Sequence, residues 1–201
     1  MLRSKEIALI GVFTALIAAL RPIGIGAIGI EPMWFALILV ARALGPKLGS
    51  AIGALSMTLS AVLTGGFGPW LPWQILAASC IGFGVAVIPK NLRGKVEITL
   101  LVFYAIIAAE FYGLLLDLAF WPIALGTQTQ LSFDSQLSFT ENATRFLTYH
   151  FVGALAWDVP RAILTATLIA VTGKSVLYVV RRALRPTVII GHAMQPSVVK
   201  R

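Results

Sequence analysis

The stretch VEITLLVFYAIIAAEFYGLLLDLAFWPIAL, which covers Val96–Leu125, is the longest apolar run in the chain. A helix of about 20 apolar residues crosses a hydrocarbon core of about 30 Å, so this run is long enough to span a membrane. The whole chain agrees, because 58% of its 201 residues are hydrophobic, only 12% are charged, and the mean hydropathy is +0.89. Soluble domains carry roughly a quarter charged residues. Composition therefore predicts an all-α protein of the cell membrane.

Five further apolar runs, each bounded by Pro, Gly or charged residues, predict five more helices. The six predicted spans are Ile7–Leu20, Met33–Leu44, Leu48–Leu63, Pro72–Ile88, Val96–Leu125 and Phe146–Thr172. They form one multi-pass domain over residues 1–182, followed by a basic cytoplasmic tail over residues 183–201. The first run resembles a signal peptide, but no small-residue cleavage site follows it, so we expect an uncleaved span.

Basic residues set the predicted orientation, because cytoplasmic connections hold the excess of Lys and Arg. All of them except Arg21, Arg145 and Arg161 fall at the termini or in the second and fourth connections. Both termini are therefore predicted to face the cytoplasm. The same rule explains the net charge of +8 without a nucleic-acid partner. A single cysteine, Cys80, excludes an internal disulfide.

The outer connections are then glycine-rich or long, and one of them is GGFGPWLPWQIL, Gly65–Leu76. All five tryptophans lie near the outer ends of the predicted spans: Trp34, Trp70, Trp73, Trp121 and Trp157. An interfacial aromatic belt is one explanation, but a belt also populates the inner rim. We therefore expect some of these tryptophans to line an outer cavity.

Ionisable residues inside the apolar runs require a reason, since a charge at bilayer depth costs at least about 2.5–3.5 kcal/mol. Glu110 and Asp117 share one face of a span and have no partner close in sequence. Asp158 and Arg161 are one turn apart, so they either pair with each other or contact a ligand. Acid–base work by these four residues in an intramembrane enzyme is a further alternative.

Two patterns resemble nucleotide sites, and both lack the required context. Gly24–Gly29 matches GxGxxG, but it lies between two spans with no preceding strand. Gly173-Lys174-Ser175 resembles the end of a Walker A motif, but Leu168 occupies the position of its first glycine. The sequence also has no HExxH, nucleophile elbow or paired Cys/His spacing. We therefore expect no catalytic activity, no metal site and no cofactor.

Small residues form a row on the first span, at Gly11, Ala15 and Ala19. Such a row lets another helix approach closely in a membrane. The partner is either a second protein or another span of this chain.

Taken together, these features resemble the substrate-binding S components of energy-coupling factor (ECF) vitamin transporters. The resemblance covers Met1 to about Arg185. Two segments, GPWLPWQ (Gly68–Gln74) and WDVPRA (Trp157–Ala162), are similar to actinobacterial-type members, some of them proposed cobalamin transporters.

The resemblance implies an ABC-type importer subunit that binds a vitamin, with cobalamin as the best guess, under the first, third and fifth loops. The family's small-residue row, here Gly11, Ala15 and Ala19, docks on a transmembrane coupling protein (T component), which two ATPases drive. The S component then topples in the bilayer and releases its ligand inside.

In this interpretation Gly65–Gln74 is a lid. The expected substrate-binding residues are the tryptophans Trp70, Trp73, Trp121 and Trp157 and the polar residues Gln74, Glu110, Asp117, Asp158 and Arg161. An accessory or structural membrane subunit without a ligand is the main alternative.

Overall fold

The computed structural model describes residues 4–24, 29–124 and 129–184. Within these residues the chain forms seven α-helices, joined in places by a 3₁₀ turn at Val85–Val87 and a π-helical turn at His150–Ala154. The helices are α1 (Ser4–Leu20), α2 (Met33–Leu44), α3 (Pro46–Thr64), α4 (Leu71–Gly84), α5 (Gly94–Ala124), α6 (Phe139–Tyr149) and α7 (Leu155–Leu184). The predicted basic tail lies almost entirely outside the described residues.

Glycine and proline set several helix boundaries. Gly45 has a φ of 96° between α2 and α3, and Pro46 follows as the first residue of α3. Gly65 ends α3 in the left-handed region, with a φ of 66°, and its N–H donates to the carbonyl oxygen of Ala61. Glycine reaches this conformation at little cost, which is why it ends helices so often. Pro72 lies in the first turn of α4, as the sequence predicts.

The last helical segment is longer at both ends than the predicted span Phe146–Thr172. α6 begins at Phe139 because Ser138 caps it: the Ser138 hydroxyl accepts the N–H of Glu141 at 3.3 Å, and the Glu141 carboxylate accepts the N–H of Ser138 at 3.0 Å. The helix then passes through the π-helical turn into α7, which ends at Leu184. Residues 139–145, which lie between the predicted fifth and sixth spans, are therefore helical.

In the described part of the chain, three helical segments are long and apolar enough to cross a membrane: Pro46–Thr64, Gly94–Ile123 and Leu155–Leu184. The shorter apolar helices lie at Glu6–Leu20, Met33–Leu44 and Leu71–Val87. Apolar helices thus occur at all six predicted positions. The number of spans and the orientation of the termini stay predictions, since length and composition support three spans.

The central helix is α2, whose residues from Ala36 to Ala41 are buried. It packs against α3 and α7, while α3 packs most extensively against α4. Glycine makes the α3–α4 contact close: a Cβ atom at Gly53 would overlap the backbone of Ala78, and one at Gly82 would overlap the backbone of Gly49. Small residues of this kind allow helices to pack tightly where lipid provides no hydrophobic driving force.

Two ends of this helical bundle differ in chemistry. The end that carries all five tryptophans is called the tryptophan end below. The opposite end carries Arg42, Lys90, Arg93 and Arg181 and is called the basic end.

Candidate functional site

A network of buried charged and polar side chains lies at the tryptophan end. Arg21, just after α1, donates to the Glu31 carboxylate at 3.2 Å, to the Ser60 hydroxyl at 3.0 Å and to the Gln74 amide oxygen at 3.2 Å. Gln74 and Glu31 are both buried. One guanidinium group therefore ties the start of α4 to α3 and to the segment before α2.

Glu31 carries this network across to α7. Its second carboxylate oxygen accepts a hydrogen bond from the indole N–H of Trp34 at 2.8 Å and lies 3.8 Å from Nε of Arg161. Arg161 in turn forms a hydrogen-bonded ion pair with Asp158. The sequence left self-pairing of Asp158 and Arg161 as one of two alternatives, and the structure contains that pair.

The ring of Tyr112 covers Arg161. The guanidinium carbon lies 4.5 Å from the centre of the Tyr112 ring, and the Tyr112 and Trp34 rings are 4.6 Å apart. A cation over an aromatic face is stabilised by the ring quadrupole, more so when both are buried. Arg21, Glu31, Ser60, Gln74, Asp158 and Arg161 are called the outer network, after the predicted orientation, and contain two cations and two carboxylates. Its formal charges therefore cancel.

Three buried polar atoms, two in the network and one beside it, have no hydrogen-bond partner within the described residues. They are Oδ2 of Asp158, Nε of Arg161 and Oγ1 of Thr165. The Asp158 side chain is only 3% exposed, and Thr165 is 1% exposed. Buried polar groups are normally satisfied, so such atoms require an explanation. The Asp158 oxygen and the Thr165 hydroxyl thus lack hydrogen bonds, and the nearest carboxylate oxygen to Nε of Arg161 is that of Glu31, 3.8 Å away.

A second cluster surrounds His150. Its two ring nitrogens lie 2.7 Å from Glu110 and 2.7 Å from Asp117, which are both on α5. His150 begins the π-helical turn, a feature that is often found at functional sites. The sequence indicated that Glu110 and Asp117 need either a polar cavity or a neighbouring helix, and in the structure His150 contacts both.

Asp158 lies between the two clusters. Its carboxylate packs directly on Gly113, where a Cβ atom would overlap it. Donor atoms of Asp117, His150 and Asp158 lie within 4.8 Å of one another, close enough to be brought around a metal ion. Both nitrogens of His150 already contact carboxylates, however, so we assign this cluster to holding α5 against the segment around the π-helical turn.

The tryptophans of the predicted site have separate environments. Trp121 is buried, donates to the carbonyl oxygen of Leu131 at 2.7 Å and packs against Phe133 and Phe146 at 5.6 and 5.3 Å. It therefore fixes the polar segment before α6. Trp70, Trp73 and Trp157 are 40–48% exposed. Of the predicted site residues, the structure brings Gln74, Asp158 and Arg161 into one network, with Glu110 and Asp117 beside it.

Sequence reasoning missed five residues of these clusters: Arg21, Glu31, Ser60, Tyr112 and His150. A usable signal existed for Arg21 and Glu31, because both flank the glycine-rich connection at the end of an apolar run. The charge count left Arg21 as one of three exceptions, with Arg145 and Arg161. For Ser60, Tyr112 and His150, nothing in their local sequence distinguishes them from packing residues.

The small-residue row of α1 points away from the rest of the described chain. Gly11, Ala15 and Ala19 are exposed, whereas the opposite face packs inward through Thr14, Ile17 and Ala18. A Cβ atom at Gly11 would meet nothing within 4 Å. Of the two alternatives, packing of this row against another span of the described chain is therefore wrong.

Comparison with known proteins gives one family. The profile of the family described as "ECF-type riboflavin transporter, S component" matches residues 1–182. No curated protein and no solved structure matches the chain.

Proposed function

We propose that the outer network of this chain binds the polar edge of a vitamin. The premise is that the chain belongs to the family of S components of ECF-type riboflavin transporters. S components are membrane-embedded, substrate-binding subunits of a transporter and not enzymes. They bind a vitamin-type substrate and work with a T component and ATPases. The proposal concerns which residues of this chain bind the substrate, and which vitamin it is.

The observation that carries the proposal is the set of unpartnered atoms at Asp158, Arg161 and Thr165. Riboflavin is the favoured ligand, since the family description names it. Its flat ring system ends in a carbonyl, an N–H and a second carbonyl. Arg161 and Thr165 offer donors to the carbonyls, and Asp158 offers an acceptor to the N–H. Trp34 and Tyr112 add the apolar faces that ligand sites combine with a few placed polar groups.

The lid in this proposal is the segment Gly65–Gln74. Gln74 joins it to the outer network through Arg21, while Trp70 and Trp73 remain partly exposed. A movement of this segment would therefore displace Arg21 through Gln74, and would change the position of Arg161 through Glu31. The tryptophan end faces outward in this proposal, as the basic residues predict, and delivery is inward.

A titration of the purified protein tests the function. Riboflavin should quench tryptophan fluorescence saturably, with part of the change absent in Trp73→Phe, and mass spectrometry of the purified protein should find the vitamin. Cobalamin, expected from the resemblance of Gly68–Gln74 and Trp157–Ala162, is titrated in parallel as the alternative. Failure of both vitamins to bind would favour an accessory subunit without a ligand.

Thr165→Val tests the site itself. The hydroxyl has no partner in the free protein, so its loss should leave the free energy of unfolding unchanged or raise it. If the hydroxyl bonds the vitamin, affinity should fall roughly tenfold. Thr172→Val is the matched control on α7, because the Thr172 hydroxyl already donates to the carbonyl oxygen of Leu168. Equal affinities for the two variants would move the site away from Thr165.

Ala15→Trp tests the docking of α1 on the T component. The side chain faces outward, so an indole fits the isolated subunit and should leave vitamin binding intact. It should block close approach of a second helix and abolish co-purification with the T component and vitamin uptake. Leu16→Trp is the control, because Leu16 is already a large side chain that is 52% exposed beside the row. Normal uptake by Ala15→Trp would show that another surface docks.

A further inference from the structure

A second set of charges lies at the basic end, around one carboxylate. Glu97, near the start of α5, is 1% exposed. It accepts from Arg42 at 2.7 Å and from Arg181 at 3.0 Å, and Arg93 lies 3.9 Å away. Arg42 also donates to the carbonyl oxygens of Ile88 and Pro89, at 2.8 Å each. This cluster joins α2, α5, α7 and the turn after α4.

The charges at this cluster do not balance. Arg42, Arg93 and Arg181 share Glu97, and Lys90 lies beside them without an ion-pair partner among the described residues. Four cations face one carboxylate, a formal surplus of three positive charges. The outer network is neutral by comparison. A surplus of cations in a partly enclosed site favours an anion there, because the local dielectric strengthens the attraction.

The surplus surrounds a cleft of about 610 Å³. Four basic residues line it: Arg42, Lys90, Arg93 and Arg181. Apolar residues line the rest of it and form its apolar wall, among them Leu44, Val85 and Leu184. A smaller cleft of about 260 Å³ shares Arg93 and Arg181 with it and adds Lys174. The cleft thus presents cations and a hydrocarbon wall together, at the end of a membrane helix bundle.

We propose that this cleft binds the phosphate headgroup of an anionic phospholipid, with an acyl chain against the apolar wall. Basic pockets between helices at a membrane surface recognise such headgroups, and phosphate forms strong charge-assisted bonds with guanidinium groups. The apolar wall beside the cations favours a lipid, because a free phosphate or an acidic peptide would leave that wall uncovered. This site is separate from the outer network and does not depend on which vitamin binds.

Lipid competition on the full-length protein tests this proposal. The protein in nanodiscs of mixed phosphatidylglycerol and phosphatidylcholine is released into detergent, and native mass spectrometry measures which lipid it retains. Phosphatidylglycerol should be retained preferentially. The double variant Lys90→Gln/Arg93→Gln should weaken this retention roughly thirtyfold, because each basic residue contributes about fivefold at a charged surface. Both side chains are exposed, so the fold should tolerate the change.

The double variant Lys47→Gln/Arg182→Gln is the matched control. It removes the same charge from exposed positions that do not line the cleft. An equal loss in this control would show diffuse surface attraction and overturn the proposal. So would retention of the two lipids without preference, or full displacement of phosphatidylglycerol by millimolar inorganic phosphate. Loss of T-component binding with lipid retention unchanged would assign the cleft to a protein partner instead.

Discussion

Replacing Glu31 with glutamine is expected to abolish measurable vitamin binding and to lower the free energy of unfolding by about 3–5 kcal/mol. The Glu31 carboxylate bonds Arg21 and Trp34 and lies 3.8 Å from Arg161. Without it, the partly buried Arg21 loses its carboxylate partner, and the buried Arg161 keeps only that of Asp158. A buried charge without a partner lowers the free energy of unfolding far more than the removal of an exposed charge does. Thermal unfolding in detergent and a fluorescence titration measure the two effects.

Two further variants make this prediction specific. Glu141→Gln removes an exposed carboxylate from the cap of α6 and should have a much smaller effect on unfolding and none on binding. Arg21→Met in the Glu31→Gln background restores charge balance, so the double variant should be more stable than the sum of the single changes implies. Strict additivity would mean that Arg21 and Glu31 are not energetically coupled, and the network would lose its assigned role.

Replacing Gly113 with alanine is expected to have an effect of similar size, about 3 kcal/mol or more, through packing and loss of an ion pair. The added methyl group would overlap the Asp158 carboxylate, which lies directly on Gly113. Asp158 would have to move away from α5 and from Arg161. The free energy of unfolding should fall, and vitamin affinity should fall with it.

The matched control for this change is Gly11→Ala, also in a helix, where a Cβ atom meets nothing within 4 Å. Alanine favours a helix over glycine by about 1 kcal/mol, so this control should be neutral or stabilising. In an Asp158→Ala background the carboxylate is absent, and Gly113→Ala should then cost little. A full cost in that background would place the clash elsewhere and contradict the assigned contact.

The helix positions were predictable because long apolar runs end at proline, glycine or charge, and those residues do end α2 and α3. The start of the last helical segment was not predictable from the sequence, since Ser138 and Glu141 form a helix cap inside a stretch whose polarity is typical of a loop. Its end at Leu184 was also missed, because the predicted span stopped at Thr172, where hydrophobicity falls. A helix can continue past the apolar run where its polar residues lie at a surface.

The candidate site was predictable only where partners are close in sequence. Asp158 and Arg161 are one turn apart, so helical geometry alone brings them together. His150 contacts Glu110 and Asp117 across separations of 40 and 33 residues, and no local pattern encodes such a contact. Arg21 reaches Ser60 and Gln74 over 39 and 53 residues in the same way. Long-range packing decides which polar residues meet.

The charge balance of the outer network has a consequence for transport. In the toppling mechanism that the family resemblance implies, the whole S component turns within the bilayer, so each internal charge would pass through the depth of the hydrocarbon layer. An isolated charge there costs at least about 2.5–3.5 kcal/mol. The charges of the outer network are compensated by one another rather than by water, since Arg21 pairs with Glu31 and Arg161 pairs with Asp158. Protein groups rather than water would therefore solvate the polar edge of the vitamin throughout the movement. The energy barrier to turning would then depend on the lipid-facing surface of the protein.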